Sequence, residues 1–184
     1  SKLEKTGKKT PPPAAYDLTE LQRDANKKYG YSAKQTLSLM QSLYETHKLL
    51  TYPRTDSRYI TKDVAATLPE RLRAIAVGPY KDFANAVLRA KPIPTKYIVN
   101  DAKVTDHHAI IPTGVQPQNL SDMERKVFDL VARRFIAAFY PDSKISTTTV
   151  LGKVGKVEFK VSGKQILEQG WRAVFAQGGA SSAE

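Results

Sequence analysis

The sequence predicts an α+β fold in which a mainly helical unit is followed by a short β-rich segment. Helix-capping residues precede apolar residues spaced three and four apart through much of 16–140. From residue 141 onward, β-branched residues alternate with polar ones. We therefore divide the chain into an extended arm at 1–15, a helical domain at 16–140, strands at 141–175 and a low-complexity tail at 176–184.

The two ends of the chain have little apolar surface to bury. Residues 1–15 carry five charged side chains and three consecutive prolines, a composition typical of an extended segment. The tail is rich in glycine, alanine and serine, and we expect it to fray.

Two short helices are predicted next, joined by a tight turn at Gly30. Asp17, three residues before Glu20, begins the first helix, and Ser32 begins the second. Two helices joined in this way resemble a helix-turn-helix. The predicted apolar stripes are Leu18, Leu21 and Ala25 on the first helix and Ala33, Leu37, Met40 and Tyr44 on the second, which Leu39 and Leu43 widen toward the core.

The middle of the chain alternates short helices with irregular segments. Residues 49–54 contain a proline and are too few for a helix, so we expect an extended segment there. Thr61 caps a short helix that restarts at Pro69, and 80–90 forms another. Residues 91–119 show little periodicity, which is uncommon for so long a stretch unless it is functional.

An amphipathic helix and a hairpin complete the folded part. Ser121 and Glu124 form a second capping box, and Pro141 ends the helix that begins there. Two strands are predicted beyond it, at 145–151 and 157–161, with a turn between Gly152 and Gly155.

Composition excludes several classes of function. The absence of cysteine excludes disulfide scaffolds, iron–sulfur clusters, thiolate zinc sites and cysteine nucleophiles. The apolar runs are far shorter than the roughly 20 residues that span a bilayer, and the charged N-terminus is not a signal peptide, so we expect no membrane partner and a cytoplasmic location.

Positive charge favours a polyanionic partner, with nucleic acid first. Lysine and arginine number 29 against 18 aspartates and glutamates, a net charge of +11. Outside the arm, the residues expected to contribute to DNA binding are Lys27, Lys28, Lys34, Arg58, Arg133 and Arg134.

A phenol, a guanidinium and a carboxylate follow one another at alternate positions from Tyr52. Side chains alternate in an extended chain, so Tyr52, Arg54 and Asp56 should project to the same side, with the first two roughly 6–7 Å apart. A guanidinium favours the phenolate and can hold a phosphoryl oxygen. These are the needs of tyrosyl attack on a phosphodiester, although with nine tyrosines in the chain a packing role for Tyr52 is the alternative.

The three histidines do not predict a metal site. His107 and His108 are adjacent, and adjacent side chains point apart and rarely chelate one metal. A loop histidine that hydrogen-bonds or protonates a phosphate oxygen is favoured. His47 lies at the end of an amphipathic helix and is predicted to be a structural charge or partner.

Three segments carry a resemblance to a known family. Residues 49–60, LLTYPRTDSRYI, resemble the active-site tyrosine segment of type IA DNA topoisomerases, in the form found in bacterial topoisomerase III. YDLTELQ at 16–22 and DHHAIIPT at 106–113 agree with that family in order and spacing. The resemblance extends from residue 10 to about residue 175.

The resemblance implies roles for individual residues. Tyr52 matches the nucleophile that becomes linked to a 5′-phosphate of one cut strand, Arg54 matches the residue that stabilises the scissile phosphate, and His107 matches a histidine near that phosphate. The positions implied to bind or orient substrate are Asp56, Ser57, Arg58, His108 and Thr113.

The resemblance also implies partners. The family carries a Toprim domain that binds Mg²⁺ through a glutamate and an Asp-x-Asp motif, and this sequence has no Asp-x-Asp. We therefore expect an excised piece, inactive alone, whose parent uses Mg²⁺ on that absent domain and no ATP. The expected partners are DNA, chiefly single-stranded, and the parent's remaining domains, in the cytoplasm at the nucleoid. Residues 16–140 would be the active-site tyrosine domain, similar to the catabolite-activator type, with 1–15 and 141–175 as limbs of a β-rich arch domain.

Two other functions are compatible with the residues themselves. A winged-helix DNA-binding module without chemistry needs only the basic charge and the helix pair. A tyrosine recombinase or relaxase would share the nucleophile but would need a larger arginine set or a histidine triad.

Overall fold

The fold consists of a helical body and a three-stranded antiparallel sheet. The computed structural model describes residues 2–155 and 157–176. The helices are α1 (Leu18–Tyr29), α2 (Ala33–Gln41), α3 (Lys62–Ala65), α4 (Leu68–Ile75), α5 (Lys81–Arg89) and α6 (Asp122–Ala137). The strands are β1 (Lys2–Thr10), β2 (Ser143–Val154) and β3 (Val157–Glu168), in the sheet order β1-β2-β3. This mixture confirms the predicted α+β class.

The helix starts are those that the capping residues predict. The side chain of Asp17 accepts the Glu20 N–H at the start of α1, and Gly30 ends that helix in the left-handed region at φ 74°. Ser32 and Gln35 form a capping box at α2, and Ser121 forms one with Glu124 at α6.

The apolar face predicted for α2 is confirmed at Met40 and Leu43 and wrong at Ala33. Thr36, Met40 and Leu43 are buried, whereas Ala33 is exposed. Helix α2 packs against both α1 and α6, and several apolar residues are available on its surface, so these tertiary contacts decide which side turns inward. The helix continues into a π-helical turn over Ser42–Thr46.

Helix α6 is the centre of the core. Its residues from Leu130 to Ala137 are all buried, and it contacts α1, α2 and α5. Fully burying each large apolar side chain of this kind contributes about 1.5–3 kcal/mol. Together these contacts give the helical body a core that does not depend on the sheet.

The hairpin is longer than the sequence predicts. Strand β2 runs on to Val154, and Gly152 pairs with Phe159 across the hairpin. The predicted turn between Gly152 and Gly155 is therefore misplaced, because glycine is tolerated inside this ladder. Of the predicted tail, 177–184 lie outside the described residues.

Contacts at the base of the sheet attach it to the helical body. Trp171 donates its indole N–H to the Thr10 carbonyl at 2.9 Å, and Tyr97 donates its hydroxyl to Asp142 at 2.6 Å. Within the described part of the chain, no helix has the length and apolar character needed to cross a membrane.

Candidate active site around Tyr52

Two irregular segments lie side by side in the helical body. We call residues 49–60 the tyrosine segment and residues 106–113 the histidine segment. The Thr51 N–H donates to the Ile111 carbonyl and the Thr113 N–H donates to the Leu49 carbonyl, both at 3.0 Å. Leu50 and Pro112 form an antiparallel bridge. The tyrosine segment is therefore extended, as predicted.

Burial alternates along the tyrosine segment. Pro53, Thr55 and Ser57 are buried, while the side chains between them are more exposed. The residues on the more exposed face are Tyr52, Arg54, Asp56 and Arg58. This alternation confirms that Tyr52, Arg54 and Asp56 share one side of the chain.

The ring of Tyr52 lies between two other rings. The imidazole of His107 lies 4.4 Å away between centroids at an interplanar angle of 35°, and Tyr44 meets it edge-on at 5.5 Å. Such ring contacts favour one orientation of the phenol. An open groove of about 670 Å³ runs beside it, lined by Tyr44, Glu45, Lys48, Leu50, Thr51, Tyr52 and Thr113.

Two threonines of the tyrosine segment hold the histidine segment. The Thr51 hydroxyl donates to the Ala109 carbonyl at 3.2 Å and accepts the Ile111 N–H at 2.9 Å. The Thr55 hydroxyl donates to the carbonyl of His107 at 3.1 Å. Sequence reasoning missed both threonines, and their only signal was their nearness to Tyr52.

His107 and His108 have different environments. His107 is exposed and lies against Tyr52, whereas His108 is partly buried with Nδ1 2.7 Å from the Ala109 carbonyl. A carbonyl only accepts, so Nδ1 carries the hydrogen and Nε2 keeps a lone pair in the neutral ring. Burial lowers the pKa of His108 below 6.5, and the nearby charge of Arg71 lowers it further, so the ring is mainly neutral at pH 7.

Four other residues from the resemblance divide into two pairs. The Ser57 hydroxyl donates to the Lys103 carbonyl at 2.8 Å, and the Thr113 hydroxyl donates to the Lys48 carbonyl at 2.6 Å. Both hydroxyls therefore bond to the backbone. Asp56, like Arg54, is exposed and makes no hydrogen bond or ion pair within 2–155 and 157–176.

Arg58 is bound to the start of α1. Its guanidinium lies 2.6 Å from a carboxylate oxygen of Glu20 and 3.4 Å from one of Asp17. The backbone adds two bonds, because the Leu18 N–H donates to Thr55 and the Ala15 N–H donates to Arg58. These contacts fix the exposed face of the tyrosine segment relative to α1.

A family comparison decides what this arrangement belongs to. The family model described as DNA topoisomerase matches residues 1–184. This chain belongs to the type IA DNA topoisomerase family.

Relatives and a solved structure agree with that assignment. DNA topoisomerase 3 of Bacillus cereus is 56% identical over 94% of this chain, and that of Bacillus subtilis is 49% identical over 95%. The chain covers 24% of the length of each relative. Full-length topoisomerase I from Thermotoga maritima has the same fold, with a TM-score of 0.65 at 24% identity over 95% of this chain and 29% of its own.

Two arginines expected to face DNA are instead buried in this topoisomerase domain. Arg133 pairs with Asp129 and donates to the Val174 carbonyl, and Arg134 pairs with Glu20 at 2.7 Å and lies over the Tyr16 ring. The prediction that Arg133 and Arg134 bind DNA is wrong, because their charges are used inside the fold. The exposed lysines of that predicted set are Lys27, Lys28 and Lys34.

The described residues of this topoisomerase domain do not fit a metal ion. No group of three histidine, aspartate or glutamate side chains converges within the described ranges. His47 is bound elsewhere, with Nε2 3.2 Å from Glu124. This confirms the prediction that His47 is a structural partner.

Proposed function

We propose that this chain supplies the nucleophile of a type IA topoisomerase that cuts and rejoins one DNA strand. The hydroxyl oxygen of Tyr52 attacks the phosphorus of a phosphodiester. The new bond joins tyrosine to the 5′-phosphate while the bond from phosphorus to the 3′-oxygen breaks. The phenolic proton leaves Tyr52, and the departing 3′-oxygen takes up a proton. The reverse reaction reseals the strand without ATP, because each step exchanges one phosphate ester for another.

The observation that carries this proposal is the position of Tyr52. It is partly exposed, contacts two rings, borders a groove of about 670 Å³ and shares an exposed face with an arginine that has no protein partner among the described residues. The hydroxyl of Tyr52 has no hydrogen-bond partner among the described residues and is free to meet a substrate. The geometry therefore favours chemistry over packing.

Arg54 and the two histidines have distinct proposed roles. Arg54 holds the scissile phosphate, since its guanidinium is free to bond two phosphate oxygens. His107 lies on the phenol and reaches the same phosphate. His108 is mainly neutral and offers Nε2 as an acceptor of a hydrogen bond from the substrate.

The remaining proposed site residues differ in how they act. Asp56 and Arg58 border the path of the strand on the exposed face. Ser57 and Thr113 orient the two segments, because their hydroxyls are bonded to backbone carbonyls.

We propose that magnesium is held by a part of the parent protein outside this chain. The described residues offer no converging set of ligands for this ion. With the rest of the cleft also outside, this chain alone should not relax supercoiled DNA even when magnesium is added. Relaxation of supercoiled DNA by the pure chain would contradict the proposal that parts of the protein outside this chain are required.

We propose DNA as the partner, chiefly single-stranded, in a cytoplasmic protein associated with the nucleoid. The net charge of +11 and the exposed lysines support DNA as the partner. Binding by the isolated chain should weaken with salt, with a log–log slope near −0.7 for each phosphate neutralised on a single strand. Salt-independent binding would contradict a phosphate-directed interaction.

The test is a covalent-adduct assay in the full-length protein. The wild type and Tyr52→Phe are incubated with end-labelled single-stranded DNA and quenched with denaturant, and label that moves with protein is measured. Tyr59→Phe is the matched control, since it removes a phenol oxygen from the same segment. Tyr52→Phe should abolish the adduct while thermal stability and DNA binding stay unchanged, and Tyr59→Phe should keep the adduct.

The outcomes separate the proposal from its alternatives. An adduct in Tyr52→Phe would exclude Tyr52 as the nucleophile. No adduct in the wild type would favour a DNA-binding module without chemistry. Linkage to a 3′-phosphate would favour recombinase-like chemistry.

A further inference from the structure

Arg71 of α4 is a partly buried arginine that bonds to the histidine segment. Its Nε donates to the Thr67 hydroxyl and one terminal nitrogen donates to the Pro112 carbonyl, both at 2.8 Å. The residue is partly buried, and burial lowers the pKa of its guanidinium below the ordinary value. In the described part of the chain, no carboxylate lies within ion-pair distance of it. A partly buried cation without a direct ion pair costs free energy, which its two hydrogen bonds and the more distant charge of Glu70 offset in part.

The Pro112 carbonyl connects Arg71 to the reacting tyrosine. Pro112 forms an antiparallel bridge with Leu50, two residues before Tyr52. The carbonyl of the neighbouring Ile111 accepts the Thr51 N–H, and the Ile111 N–H donates to the Thr51 hydroxyl. The same segment carries His107, whose ring lies 4.4 Å from that of Tyr52. Arg71 is therefore a fixed attachment between the rigid helix α4 and the segment that holds both rings together.

We propose that Arg71 is a positioning residue that holds the histidine segment on α4 and thereby keeps His107 against the ring of Tyr52. This inference rests on the proposed function. Arg71 does not touch the reacting atoms. It affects cleavage by fixing the position of the His107 ring. Loss of the guanidinium should let the histidine segment shift, and a displacement of about 1 Å can lower a rate up to about 100-fold.

A double-mutant cycle on strand cleavage tests this in the full-length protein. Arg71→Met, His107→Ala and the double variant are compared with wild type by single-turnover formation of the covalent adduct. Arg71→Met should slow cleavage at least about tenfold, and His107→Ala should add little in the Arg71→Met background, because residues acting through one another are not additive. If the two residues acted independently, the rate loss of the double variant would be the product of the two single losses.

Two further variants keep the test specific. Arg73→Met is the matched control, since it removes an exposed arginine from the same helix. It should leave cleavage unchanged. Arg71→Lys keeps one donor and the charge, so it should restore part of the rate even where Arg71→Met folds poorly.

The results separate this inference from the proposed function. Tyr52→Phe retaining the adduct would overturn the proposed function itself. Tyr52→Phe losing the adduct while Arg71→Met and Arg71→Lys both cleave at the wild-type rate would overturn only the role of Arg71. Fully multiplicative effects of Arg71→Met and His107→Ala would also overturn it, whereas non-additive effects with partial rescue by lysine support it.

Discussion

The two faces of the tyrosine segment differ in what their side chains contact. On the exposed face, the ring of Tyr52 contacts those of Tyr44 and His107, and Arg54 has no hydrogen bond or ion pair to the described residues. On the buried face, Thr55 and Ser57 bond to the backbone of His107 and Lys103. The tyrosine segment therefore carries the proposed reactive groups on one side and its attachment to the fold on the other.

Because of this difference, we expect replacements on the two faces to affect different properties of the protein. Replacements on the exposed face should change cleavage without changing the free energy of unfolding, and replacements on the buried face should do the opposite. Arg58 is the intermediate case, because it lies on the exposed face but pairs with Glu20 and Asp17.

Arg54→Ala should give the largest effect in this set. Removing a donor that stabilises developing charge typically costs about 10²–10³-fold in rate. Arg54→Lys should restore the rate only in part, since an ammonium loses the planar two-donor grip on phosphate. Single-turnover cleavage in the full-length protein measures both. Unfolding in urea should show a change within about 0.5 kcal/mol, and a larger loss of stability would mean that Arg54 also holds the fold.

Ser57→Ala should act on stability. The serine hydroxyl donates to the Lys103 carbonyl and accepts the Tyr59 N–H at 3.2 Å, and leaving such buried groups unpaired costs about 1–3 kcal/mol. Urea unfolding measures it, with the exposed Ser38→Ala as the control. Cleavage at temperatures where the variant stays folded should fall far less than in Arg54→Ala, because Ser57 orients the segment without touching the substrate. A large rate loss in a fully folded Ser57→Ala would break the separation between the two faces.

Local signals made much of the fold predictable. Asp17, Ser32 and Ser121 begin helices because each cap depends on residues three positions away, and the alternation around Tyr52 depends only on an extended backbone. The resemblance of 49–60 pointed to Tyr52 and Arg54, which the structure brings to one exposed face.

The unpredicted features depend on contacts between distant parts of the chain. Strand β1 pairs with β2 across more than a hundred residues, and Thr51 bonds to a carbonyl 58 residues away. Nothing near either residue encodes such a partner. Arg134 was expected in solvent because arginine usually lies there, whereas Glu20 and the Tyr16 ring surround it in the folded chain.

The smallest effect concerns Glu124, which supports the turn that carries Tyr44. Glu124 accepts from the Ser42 hydroxyl at 2.6 Å and lies 3.2 Å from His47, at the two ends of the π-helical turn. The bond from Ser42, followed by those from Ser121, lowers the pKa of Glu124 to about 2. Because its pKa is lowered on folding, the ionised carboxylate stabilises the fold above its unfolded pKa, and this stabilisation is lost as the pH falls from about 5 toward 2.

Glu124→Gln tests this because the amide can keep the cap but cannot ionise. The free energy of unfolding in urea should favour wild type at pH 7, by about 1 kcal/mol for a partly buried network, and the difference should shrink as the pH falls below 5. In a Ser42→Ala background the pH-dependent part should be smaller, since the main cause of the lowered pKa is gone. Cleavage at pH 7 should change little, because Glu124 acts on Tyr52 only through the Tyr44 turn. A difference between wild type and Glu124→Gln that stays constant from pH 7 to 3 would mean that the carboxylate's charge does not hold the turn.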